Sequence, residues 1–115
     1  MVSQYVPDTG DIVFLDFDPQ VGREQAKRRP ALVLTDIRYN QASGLAVVCP
    51  LTSKVKPYPI TLPIAVGGVE GAVLVDQLKS MDWAGGGAEF HSKAPAFTMC
   101  KVRQYIAVLL QIPIR

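Results

Sequence analysis

From Asp11 to Asp18 the chain reads Asp-Ile-Val-Phe-Leu-Asp-Phe-Asp, with Val13, Leu15 and Phe17 on every second position. Side chains alternate across a strand, so these three share one face, and β-branched and aromatic residues suit a pleated surface. A strand is predicted over Asp11–Asp18, with Thr9-Gly10 as the turn before it. Later apolar runs stay short, cut by proline and glycine. The polar stretch 19–28 reads as a long loop. Pro30 opens a second strand over 30–35, Leu45–Cys49 forms a third, and Pro50 closes it. Residues 51–59 read as another loop. Tyr58–Leu62 is a fourth strand, which Pro59 confines to an edge or a strand start. Gly67-Gly68 marks a turn, Ala72–Val75 a short central strand, and 76–83 a further strand continuing from it. Gly85-Gly86-Gly87 is a flexible breaker. Beyond it, Pro95 suits the first position of a helix, and Met99, Val102, Ile106 and Leu109 recur at helical spacing. A helix is predicted from about Pro95 to Leu110, ended by Pro113. Short strands, long loops and one terminal helix predict a mainly β chain of the α+β kind, a small antiparallel barrel capped by a helix.

The 115 residues are one domain's worth of sequence, taken as a single domain over 1–115 that needs no disulfide or structural metal. The apolar run Tyr105–Leu110 is far too short to span a membrane, and the start MVSQYVPDTGD lacks the basic patch and apolar stretch of a secretory signal. The expected location is the cytoplasm. Cys49 and Cys100 form no CxxC pattern and lie in apolar stretches, so buried reduced thiols are expected rather than a zinc site. The net charge is only +2, yet Arg23, Lys27, Arg28 and Arg29 crowd one loop, and Lys54 and Lys56 follow Thr52 and Ser53. Local basic loops on a weakly charged chain fit a confined polyanion site better than a broad coat for duplex DNA.

Three segments carry more than periodicity: GDIVFLDFDPQVGREQAKRRPALVLT, VVCPLTSK and GAVLVDQLKSMDW. Their G-x-E-Q loop, R-P-A-L run, P-x-T strand end and D-Q-x-K-S, in this order and spacing, resemble the MazF/PemK family of toxin endoribonucleases. With Tyr39-Asn40 and the start VSQYVPDTGD, the similarity runs to about Trp83; the C-terminal third matches in outline. The resemblance implies an SH3-like barrel of the CcdB/MazF plasmid-maintenance type, assembled as a two-fold homodimer. It also implies cleavage of single-stranded mRNA at a short sequence to stop translation. The implied partner is a MazE-like antitoxin whose acidic, flexible tail blocks the RNA groove.

RNA supplies its own nucleophile: the 2′-OH attacks the adjacent phosphorus, leaving a 2′,3′-cyclic phosphate and a 5′-OH. The protein must align that attack, stabilise the phosphorane and move protons, and none of these steps needs a metal or other cofactor. Arg29 is the first catalytic candidate, a permanent cation able to grip two phosphate oxygens, held extended by Pro30 at the mouth of a strand. Arg28 ranks below it. Thr52, at a strand end, offers a hydroxyl that donates to a phosphate oxygen. Glu24 is a general base for the 2′-OH or else an orienter of Arg29, since arginine itself is too weakly acidic to act as one. A lone histidine, His91, excludes a two-imidazole mechanism within one chain and reads as a surface residue.

For RNA binding, Asp16, Asp18, Gln25, Asp76 and Gln77 are candidates for base edges, while Lys27, Ser53, Lys54 and Lys79 are candidates for the phosphates. Trp83 reads as core or interface packing. Two features depart from the family: glycines at 85–87 where arginine is familiar, and a helix start, APAFTM, without acidic residues. The glycines are expected to leave that loop loose. Two rivals stand against the nuclease: a CcdB-like toxin that poisons a topoisomerase by binding it, and an RNA-binding barrel that does not cut, for which aromatics on strand faces would be expected.

Overall fold

The computed structural model describes residues 5–17, 28–53 and 60–113. Among the described residues, seven strands, two helices and a 3-10 turn follow one another in chain order. They are β1 (Asp11–Asp16), β2 (Arg28–Val33), α1 (Ile37–Ser43), β3 (Leu45–Thr52), β4 (Thr61–Val66), β5 (Val69–Leu74), the 3-10 turn Val75–Gln77, β6 (Lys79–Asp82), β7 (Glu89–Lys93) and α2 (Ala96–Leu110). All pairings are antiparallel, in the order β4-β5-β3-β2-β1-β7, with β6 also against β3. The result is a curled half-barrel with a terminal helix, the architecture expected from the sequence.

Alternation along the central strands buries both faces of the sheet. Ile12, Leu32, Cys49 and Leu51 join Val73, Val75, Met99 and Val102 in the core under α2. Val13, Leu15, Ala31, Val33, Ala46 and Val48 face the other way, onto Met81 and Trp83, with Phe17 packed alongside. A slip of one residue in β1 or β2 would exchange these two sets, so the pattern fixes the register.

Several boundaries differ from expectation, each for a local reason. Strand β2 begins at Arg28 rather than Pro30; at Pro30 it pairs only with β1, so its other edge is open and the missing N–H breaks no ladder. Strand β3 runs through Pro50 to Thr52, because Pro50 is the last partner of β2 and Leu51 the first of β5. Strand β4 starts at Thr61 and carries Pro63 on the sheet edge. Strand β5 begins at Val69 and stops at Leu74, where the chain tightens into the 3-10 turn before resuming as β6 along the same side of β3. Gly67 and Gly68, with φ of 57° and 86°, make the tight β4–β5 turn that the Gly-Gly pair announces.

Helix α1 was not anticipated. Asp36 caps its first turn by accepting from the Arg38 N–H, and Gly44, at φ 77°, ends it. Pro95 is the cap of α2 rather than its first residue, and Leu109 turns outward while Met99 and Val102 are buried. Phe97, Val108, Leu110 and Ile112 are exposed as well. Cys49 is buried as expected, but Cys100 is exposed on α2. No helix among the described residues is long and apolar enough to cross a membrane.

Candidate active site

Strands β2 and β3 separate beyond the pair Ala31↔Pro50, and β3 turns to β5 through Leu51↔Val73 and Thr52↔Ala72. The fork so formed is a basin of about 630 Å³ lined by Arg29, Pro30, Leu51, Thr52, Ser53, Val69 and Glu70. Arg29, paired across the ladder with Leu15, stands on one wall, and Thr52 and Ser53 on the other. Arg29 and Thr52 therefore line one open basin. Phe17 braces the first wall: the Arg29 guanidinium carbon lies 5.6 Å and the Lys79 ammonium 5.8 Å from its ring centroid. Cation–π contact of this kind gathers two positive groups beside the basin and limits where they can swing.

Other candidates are placed elsewhere. Asp16 is engaged by Arg28, whose Nη1 lies 3.4 Å from its Oδ1. Asp76 and Gln77 are exposed on the 3-10 turn, at the opposite end of β5 from Glu70. Asp76 acts on the core instead: burial, and secondarily its charge, push the Cys49 thiol up to about 12. Asp18, Glu24, Gln25, Lys27 and Lys54 lie outside the described residues. Glu70 was not singled out in the sequence, where a lone Val-Glu-Gly carries no catalytic signal.

The Gly85–Gly87 stretch is anchored rather than loose. The Asp16 N–H donates to Gly86 O at 2.9 Å, Gly86 N–H to Asp82 O at 2.9 Å, and Gly85 N–H to Asp82 Oδ1 at 2.8 Å. Arg28 reaches across to Gly87 O at 2.6 Å and to Phe14 O at 3.0 Å. Arg28 thus ties the base of the basin wall, which leaves Arg29 as the cation of the pair that lines the basin. Trp83 is buried and donates from Nε1 to Asn40 O at 2.8 Å, a packing role as expected. His91 is exposed, edge-on to Phe14.

A profile of the PemK-like, MazF-like toxins of type II toxin–antitoxin systems matches residues 8–110. The endoribonuclease toxin MazF of Escherichia coli K12 is 44% identical over 88 residues, covering 76% of this chain and 79% of that protein. The endoribonuclease toxin ChpB of the same strain is 39% identical over 88 residues, covering 71% and 75%. Among solved structures, MazF from Deinococcus radiodurans superposes with a TM-score of 0.84 at 45% identity, covering 95% of this chain and all (100%) of that one. A MazE–MazF complex from the same organism gives 0.87 at 43% identity, with coverage of 95% and 100%. The chain belongs to the PemK-like, MazF-like family of toxins of type II toxin–antitoxin systems.

Proposed function

We propose that this endoribonuclease toxin cuts single-stranded mRNA in the fork basin, with Arg29 and Thr52 acting on the scissile phosphate. The observation that carries the reading is that both groups line one open basin at the parting of β2 and β3. Arg29 balances the charge that builds on the phosphorane oxygens, and the Thr52 hydroxyl donates to one of them. Attack by the 2′-OH needs no metal and leaves a 2′,3′-cyclic phosphate and a 5′-OH. A carboxylate takes the 2′-OH proton, and water supplies one to the leaving 5′-oxygen. Glu24 keeps the role assigned from sequence, and Glu70 enters because it lines the basin. Lys79 and Ser53 hold flanking phosphates, and Lys27 and Lys54 keep the phosphate role assigned from sequence. Asp16, Asp18, Gln25, Asp76 and Gln77 remain candidates for base edges, Asp16 only by giving up Arg28.

The protein acts in the cytoplasm on mRNA. It is neutralised by a MazE-like antitoxin whose acidic tail competes for the same cations. It works as a homodimer, for which the exposed Phe97, Val108, Leu110 and Ile112 of α2 supply apolar surface. A long RNA incubated with the protein in EDTA should be cut, and the mapped ends should carry the cyclic phosphate. Uncut RNA, or cutting that survives both Arg29→Ala and Thr52→Ala, removes the reading. Glu24→Gln and Glu70→Gln decide which carboxylate takes the proton: the one that does loses the acidic limb of the pH–rate profile.

A further inference from the structure

Beside the basin, the close approach of β5 to Thr52 depends on a missing side chain. Gly71 is the β5 residue next to Ala72, which pairs with Thr52. A Cβ built on Gly71 would stand 2.0 Å from Thr52 O, 2.9 Å from Thr52 C and 3.1 Å from Ser53 Cα. Those atoms belong to the peptide that leaves Thr52, so a side chain at 71 forces β5 and that peptide apart, at the residue that carries the Thr52 hydroxyl. The backbone of Gly71, at φ +153°, is also one that L-residues rarely adopt. Contacts with backbone cannot be relieved by swinging a flexible side chain away. The two residues before it, Val69 and Glu70, line the basin, so the close approach also brings this wall against Thr52 and Ser53.

We infer that Gly71 is a positioning residue for Thr52: its bare backbone lets β5 close on the Thr52 carbonyl and so fixes the hydroxyl against the scissile phosphate. This rests on the role of Thr52 proposed above. A displacement of about 1 Å at a reacting group costs up to about 100-fold in rate. The test is a double-mutant cycle on a single-stranded oligonucleotide that contains the mapped cut site. Gly71→Ala should lower kcat by about 10- to 100-fold with KM changed less than about threefold. In the Thr52→Ala background it should cost nothing more, because the hydroxyl it displaces is gone. Gly68→Ala is the control, with φ +86° and open space around its Cβ. It shares the backbone strain without the collision and should keep kcat within about twofold.

Full activity in Gly71→Ala overturns the inference, as does an equal loss in both backgrounds, an equal loss in Gly68→Ala, or a Gly71→Ala chain that does not fold. A measurement on the unaltered protein tests it without any variant. Three-bond couplings to the Thr52 methyl should report one χ1 rotamer, and averaging between wells overturns the inference. If Thr52→Ala is itself fully active, the nuclease assignment of Thr52 falls first and this inference falls with it. If Thr52→Ala is dead while Gly71→Ala is normal, only the inference on Gly71 is lost.

Discussion

Two regions of this sheet treat polar side chains in opposite ways. Within α1, Asn40 is fully buried (0% exposed); its side chain donates to Pro7 O and Thr35 O and accepts from Thr35 Oγ1, and its backbone carbonyl takes the Trp83 N–H. Near the N-terminal segment, buried Asp11 accepts from the Tyr5 hydroxyl, from the Asp8 N–H and from Lys93 Nζ. Among the described residues no buried side-chain nitrogen or oxygen lacks a partner. At the fork, by contrast, Arg29 and Thr52 are half-buried and Ser53 and Glu70 exposed. A polar group sealed from water must be satisfied inside the protein, so it specifies the fold. One at a rim stays within reach of water and of a ligand, so the fold depends on it less.

The comparison breaks most openly if substitutions at the fork unfold the protein. Arg29→Ala or Thr52→Ala should instead cut the cleavage rate by about 10²–10³ with the denaturation midpoint unmoved. Asn40→Ala should do the reverse. It leaves several buried groups unpaired, so urea titration should show a loss of about 3 kcal/mol, while the folded fraction still cleaves. Alkali sharpens the contrast. Cys49 has its pKa raised in the fold to about 12, so its contribution is fully present below the ordinary thiol value near 9.0 and is lost as pH climbs toward 12. Burial and the Asp11 hydrogen bond raise Tyr5 in the same direction. Stability measured by urea titration from about pH 8 to 11 should therefore fall by about 1.4 kcal/mol per unit once the pH passes 9.0, where the thiol of the unfolded chain ionises. The smallest effect belongs to Phe17, which serves both regions: it packs on the core and faces Arg29 and Lys79. Phe17→Leu should slow cleavage about two- to fivefold, with KM rising if the two cations are freed to wander.

The same contrast explains what could be read from the sequence. Strands β1, β3 and β5 and helix α2 announce themselves because they bury apolar residues at periods of two or three to four. Helix α1, Ile-Arg-Tyr-Asn-Gln-Ala-Ser, has no such period; local caps begin and end it, and the bond from Asn40 to Pro7 that helps hold it connects residues far apart in the chain. Strand β7 is an edge whose residues are mostly exposed, so it shows no alternation. At the site, Arg29 and Thr52 were legible through the motif and the proline beside Arg29. Glu70 was not, since nothing local says that β5 will close against Thr52. The displacement of Asp76 and Gln77 from the basin was equally hidden, because it depends on where β5 breaks into the 3-10 turn.

Strand β3 changes neighbours at Pro50, and the distance from that proline to Thr52 is two residues. Deleting or inserting a single residue there would turn the Thr52 side chain to the other face of the strand, because adjacent positions of a strand look in opposite directions. Under the role proposed above for Thr52, the ruler for the chemistry is thus a stretch of ladder two residues long.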